Sequence, residues 1–136
     1  VIDIERVVVQ HLLADPDVTD LVGENGVSTE LPPNAVLPRI RITLNGGTIP
    51  VRGYLYASRV TVEAWADTKG DAWDVLAAAV ASLENTLEGA LVEGVVVTAV
   101  DQESGATWVP DPEAQTPRYL ATVTVTAHRQ PAAPGS

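Results

Sequence analysis

The sequence predicts an α+β fold: an antiparallel or mixed four-to-five-stranded sheet with one long and one or two shorter helices packed on one face. Three observations carry this expectation. The segments from Arg39 to Leu44 and from 58 to 66 alternate apolar and polar residues with period two. The segment 71 to 89 repeats with helical period, and two Val- and Thr-rich runs, 94 to 103 and 117 to 129, follow it. The resulting order is helix, strand, strand, helix, strand, strand. Hairpin-like pairs on either side of a crossing helix leave the helices one face of the sheet to cover.

Each element has a local cause. Asp3 precedes IERVVVQHLL, in which Ile4, Val7, Val8 and Leu12 recur at helical spacing, so Asp3 is the expected N-cap of a first helix over 4 to 14. Asp15-Pro16 ends it, because the residue before proline is pushed out of helical angles. DVTDLVG, residues 17 to 23, reads as a short helical turn closed by Gly23, and 24 to 38, with Pro32, Pro33 and Pro38, as an irregular connection. From Arg39 onward, Ile40, Ile42 and Leu44 point one way while Arg39, Arg41 and Thr43 point the other. Asn45-Gly46-Gly47 is the expected turn at the strand's end, and the stretch 45 to 57 continues as a long loop or bent ribbon.

In the strand 58 to 66, Val60, Val62, Ala64 and Ala66 share one face, and Arg59, Thr61, Glu63 and Trp65 share the other. The helix over 71 to 89 is expected to bury Trp73, Leu76, Ala77, Val80, Leu83 and Leu87. Asp71 complements its N-terminal dipole, Gly89 stops it, and its alanines allow close approach to the sheet. TWVPDPEAQTP holds at most a short strand before a turn-rich loop. Residues 1 to 130 are expected to form a single domain and 131 to 136, PAAPGS, a flexible tail.

Composition narrows the function classes. A chain of 136 residues has room for one domain with its own core, and 46% hydrophobic against 19% charged residues is a globular balance. The absence of cysteine excludes disulfides, thiolate metal sites and thiol nucleophiles. The longest apolar run, VLAAAVASL, is far short of a membrane span, and no basic signal-peptide start is visible, so a soluble, unexported protein is expected. The net charge of −10 opposes a broad grip on nucleic acid phosphates without opposing the passage of DNA.

Motifs for chemistry are sparse. Paired carboxylates can act as acid and base when burial or a like charge separates their pKa values. Asp67, Asp71 and Asp74 instead fall in a strand-to-helix turn and a first helical turn, where acids ordinarily complement the dipole. His11 and His128 lack metal-ligand spacing, and no phosphate-cradling or nucleophile motif is present. No catalytic, metal or cofactor residue is therefore expected. A small acidic binding module or hydrolase remains the alternative, and it requires a pocket with strongly perturbed carboxylates. Trp73 belongs to the apolar stripe, whereas Trp65 lies opposite its strand's apolar face and Trp108 lies in a Pro-rich loop, so both are expected at an interface.

The wording of three stretches resembles the tail terminator family of long-tailed phages with non-contractile tails, also called tail completion or tail-to-head joining proteins. LLADPDVTDLVG is similar to the family's opening, VSTELPPNAVLPRIRITL to its proline-bounded entry into the first strand, and VTVEAWADTKGDAWDVLAAAVASLE to its strand, polar turn and alanine-rich helix. The likeness runs from about 3 to 129 and departs at GGTIPVRGYLYA and WVPDPEAQTP.

The resemblance implies a protomer of a ring, six-fold in this family. Such a ring caps the tail tube protein, ends its polymerisation, and meets a head-side connector or stopper protein while DNA passes through the lumen. It implies no catalysis and no cofactor, and a place at the head-tail junction of the virion after assembly in the host cytoplasm. Another connector component, a stopper or head-completion protein, is the neighbouring alternative. A head-to-tail ring interface hides its apolar anchors only in the assembly. The expected interface residues are Trp65, Tyr54, Tyr56 and Trp108 with Arg39, Arg41, Arg52 and Arg59.

Overall fold

Local caps start the chain as its sequence anticipates. The structure, a computed structural model, describes residues 2–31 and 35–130. Asp3 caps helix α1 (Ile4–Leu13), its carboxylate accepting the Arg6 N–H at 3.2 Å. Ile4, Val7, Val8 and Leu12 are buried, so packing holds a helix whose three consecutive valines lower its intrinsic propensity. Asp15 caps α2 (Pro16–Val22) by accepting the Asp17 N–H at 2.9 Å, and proline stands at its first position, where no N–H is needed. Within the expected irregular connection a two-residue strand, β1 (Val27–Ser28), pairs in parallel with β2. Pro32 and Pro33 lie outside the described residues.

The turn expected at Asn45-Gly46-Gly47 does not form. Strand β2 runs from Arg39 to Val51 and turns through Arg52, Gly53 and Tyr54 into β3 (Leu55–Trp65), so 45 to 57 is a bent ribbon. Gly47 explains the difference. It pairs with Ser58 beside a register shift, at φ 139°, and a Cβ there would stand 2.1 Å from the Ala57 carbonyl oxygen. Glycine acts here as a bulge allowing close backbone approach, and the strand continues past it.

Thr68 caps α3 (Lys69–Ser82), accepting the Asp71 N–H at 3.1 Å. A widened π-helical turn, Leu83–Leu87, follows, with the chain turning away at Gly89. The buried face of α3 is only partly the expected one: Leu76, Leu83 and Leu87 are buried and Val80 packs against the core, but Trp73 and Ala77 do not join them. Ala72, Val75, Leu76, Ala79 and Ser82 face inward, while Trp73 is 49% exposed and Ala77 and Ala81 are exposed. The helix lies against β3 and β6, whose inward residues include Ala64, Val62, Ala121 and Val123, and small residues suit that approach better than an indole.

Strands β4 (Leu91–Val92), β5 (Val95–Trp108) and β6 (Arg118–Arg129) complete a six-stranded sheet in the order β1-β2-β3-β6-β5-β4. The β1-β2 pair is parallel and the others antiparallel, so the sheet is mixed. It has more than four or five strands because β1 and β4 have two residues each, too few to leave an alternation in the sequence. Strand β5 also extends through Trp108, into the stretch expected to hold only a short strand.

Alternate residues of the four long strands, including Ile40, Ile42, Val60, Val62, Val97, Val123 and Val125, join the inward faces of the helices in one buried cluster. The helices therefore cover a single face. The opposite face carries Thr43, Thr61, Thr122, Thr124 and Thr126 at the intervening positions. Among the described residues no helix is long and apolar enough to cross a membrane.

Candidate functional site

The carboxylates of the strand-to-helix turn lack the burial on which paired acid-base chemistry draws. Asp67, Asp71 and Asp74 are all exposed and share an open cleft with Asp20 on α2. Among the described residues the one buried carboxylate is Glu63, 8% exposed, and it is occupied by two cations. It accepts from Arg41 Nη2 at 2.8 Å and Arg118 Nη1 at 3.4 Å. His11 Nε2 meets the Thr86 hydroxyl at 2.7 Å, the His128 ring stacks on Tyr54, and among the described residues no three His, Asp or Glu side chains converge as a metal would require.

Trp65 is not an exposed anchor. It is 2% exposed, on the sheet face away from the helices, beside Arg118 in the pairing register. The guanidinium carbons of Arg41 and Arg118 lie 5.1 and 5.5 Å from its ring, so two arginines held by Glu63 cover the indole. The connection from β5 to β6 is fastened beside it: Arg118 Nε donates to the Val109 carbonyl at 2.8 Å and the Ala66 N–H to that of Pro117 at 3.3 Å. The polar face of β3 is thus closed at this end by the protomer itself.

The most exposed tryptophan is the one expected in the core. Trp73 meets Tyr119 edge-on at 5.3 Å, Trp108 meets the same tyrosine at 5.1 Å, and Lys69 Nζ lies 4.8 Å from the Trp108 ring centre. Trp108, expected at an interface, is 38% exposed. Beside this aromatic group runs an open groove of about 290 Å³, lined on α3 by Trp73, Ala77, Val80 and Ala81, with Glu84 at the π-helical turn and Ala106 across on β5. A readable signal existed: α3 carries a second apolar row, Trp73, Ala77, Val80 and Ala81, beyond the row its core face uses.

A second exposed apolar surface lies at the ribbon tip, where Ile49 is 57%, Val51 50% and Tyr54 49% exposed. Tyr56, expected beside Tyr54, is half-buried against the core instead. Arg52 stands at the tip, exposed. Arg39 donates to the Ser28 hydroxyl at 3.0 Å, and Arg59 pairs with Glu103 at 2.9 Å. The candidates Trp65, Arg39, Arg41 and Arg59 therefore form no single patch with Tyr54 and Arg52; partners within the chain already engage them.

Charge is divided between the layers. Residues 3–24 and 67–88, the helices with their flanks, hold eleven of the 18 acids and two of the eight bases. The strands and their connections are nearly neutral. Two exposed carboxylates are held as anions by hydrogen bonds: the Thr124 hydroxyl, and then Arg59, keep Glu103 below the ordinary glutamate value, and the Ala114 and Glu113 N–H groups keep Asp111 below that of aspartate.

Comparison with known proteins fits this architecture. The chain is similar to a protein in the virion of a native gene transfer agent particle, with a TM-score of 0.59 at 18% identity over 91% of this chain and 93% of that one. It is also similar to the bacteriophage SPP1 gp17 protein, with a TM-score of 0.56 at 16% identity over 93% and 90%. These identities establish likeness of fold alone. No curated protein matches the sequence. The family model described as tail completion protein gp17 matches residues 6–128, nearly the whole chain, and the chain belongs to this phage tail completion family.

Proposed function

We propose that this chain is a structural virion protein that closes into a ring, six-fold in all, on the last ring of the tail tube. The ring ends tube polymerisation and joins the tail to the head-side connector, and the genome passes through its lumen. The observation that carries this reading is membership of the tail completion family over nearly the whole chain. The surface supports it. A protomer of this size leaves Trp73, Trp108, Tyr54, Ile49 and Val51 exposed in two separate places, which suits a head-to-tail contact that hides them.

On this reading the protein works by shape and charge rather than by catalysis, as its tail completion family suggests. A ring of protomers each bearing −10 gives DNA no counterion-release gain on contact, so the genome slides without adhering. The test is to mix the protein with tail tubes purified from the virion that carries it and to image them by electron microscopy. Capped tube ends and arrested growth are expected. Bare ends and unlimited growth would overturn the reading.

A further inference from the structure

We infer that the β2-β3 ribbon tip of one protomer seats in the α3 groove of the next copy of this chain, an inference that rests on the ring reading. The tip offers Ile49, Val51 and Tyr54, all about half exposed, around the exposed Arg52. The groove offers an apolar floor along α3, an aromatic wall in Trp73, and one carboxylate, Glu84, in its lining. Among the described residues neither the Arg52 nor the Glu84 side chain has a hydrogen bond or ion pair within the protomer. The two surfaces thus complement each other in apolarity and in sign.

Geometry requires two molecules. Tyr56 pairs with Ala127 at one end of β6, while Trp65 pairs with Arg118 and Trp108 with Tyr119 at the other. The groove meets the sheet at Ala121 and at Gln102, the latter opposite Val123, so four to six residues of β6, about 14–20 Å at the rise of an antiparallel strand, separate it from the Ala127 end beyond which the tip projects. The ribbon and the groove also lie toward opposite edges of the sheet. A tip cannot reach its own groove, and a repeated contact between unlike surfaces is the head-to-tail arrangement from which rings are built.

The free strand edges serve less well. Strand β2 is paired by β1 only at Ile40 and Arg41, and β5 by β4 only at Val95 and Val96. Both strands also carry register shifts in their further course. Such irregularities blunt strand addition, which favours a side-chain seat over a continued sheet.

The absence of cysteine makes the test direct. Ile49→Cys and Ala81→Cys are placed in one chain, assembled on purified tail tubes, and treated with a short bis-maleimide, with each single variant run in parallel. A ladder from dimer to closed ring in the double variant, and nothing beyond dimer in the singles, is expected. Capped tubes without a ladder would overturn the seat and leave the ring reading standing; wild-type protein that leaves tube ends bare would overturn both. In a second arm Arg52→Glu is expected to weaken capping about tenfold, and Arg52→Glu combined with Glu84→Arg to restore it. Failure of the double exchange to restore capping, with both variants still folded by circular dichroism, would count against the seat.

Discussion

Glu63→Gln is the sharpest test of how the sheet is held at its aromatic end. The carboxylate is 8% exposed and neutralises two guanidinium groups, with the Arg118 side chain 15% and the Arg41 side chain 31% exposed. Glutamine keeps the volume, so no cavity term enters; what is lost is the counter-charge. Removing one partner of a buried ion pair costs about 3–5 kcal/mol. Arg41 is solvated enough to recover part of this, which leaves about 2–3 kcal/mol. At about 2.1 cal/mol/K of unfolding entropy per residue, 136 residues give about 0.29 kcal/mol/K, and Tm should fall by about 7–10 °C. Thermal unfolding by circular dichroism reads this directly. Glu93→Gln is the control, because its pair with Arg6 is exposed at 62% and 41% and should contribute about 0–1 kcal/mol. Equal shifts in the two variants would refute the claim that burial makes Glu63 the more important anion.

Four further outcomes are expected. Gly47→Ala should destabilise by about 1–3 kcal/mol and speed amide exchange between residues 45 and 57, since its Cβ has no space beside Ala57; an unchanged ribbon would show that the bulge relaxes freely. Trp73→Ala, at a half-exposed position, should leave Tm within a few degrees yet reduce tube capping at least tenfold, and loss of folding instead would return Trp73 to the core. Hydrogen bonds from the Ala114 and Glu113 amides hold the Asp111 carboxyl below the ordinary aspartate value, so its contribution is present above the unfolded value and is lost as pH falls through the folded one. Exchange of the Glu113 and Ala114 amides should accelerate only in that acid range, and in Asp111→Ala at every pH. Ring assembly on tubes should strengthen as salt rises from about 0.01 to 0.15 M, because screening shortens from about 30 to 8 Å and the protomers repel one another.

Where one face of an element had to be buried, the fold was legible in the sequence. Asp3, Asp15-Pro16 and the alternations of β2, β3 and β6 each joined a local preference to an apolar pattern, and each formed at the expected place. Periodicity assigns side chains to faces but does not say what covers a face. Trp65 is on the polar face, as expected, yet arginines at neighbouring register positions and the β5-β6 connection bury it. Trp73 fails for a related reason: α3 is apolar around more than one row, and the choice between rows depends on the small inward residues of β3 and β6, which belong to other parts of the chain. Asn45-Gly46-Gly47 carries the dipeptide signal of a turn, but long-range pairing with β3 overrode it.

Excess apolarity on α3 and excess acid around the helices have a common physical meaning. Both are costly for an isolated protomer: exposed indoles invite non-specific association, and eleven acids against two bases in one layer repel each other. A sequence selected for the stability of the protomer alone would place Trp73 inward or replace it, and would intersperse lysines among Asp67, Asp71, Asp74 and Asp20. The sheet side shows that the chain can pair its charges, since Arg41, Arg59 and Arg118 all have carboxylate partners there. Uncovered aromatics therefore stand at the two surfaces that the proposed assembly would use, and most of the acid lies in the helix layer. The repulsion has a use of its own, because it keeps protomers apart until a tube end presents a template that offsets it.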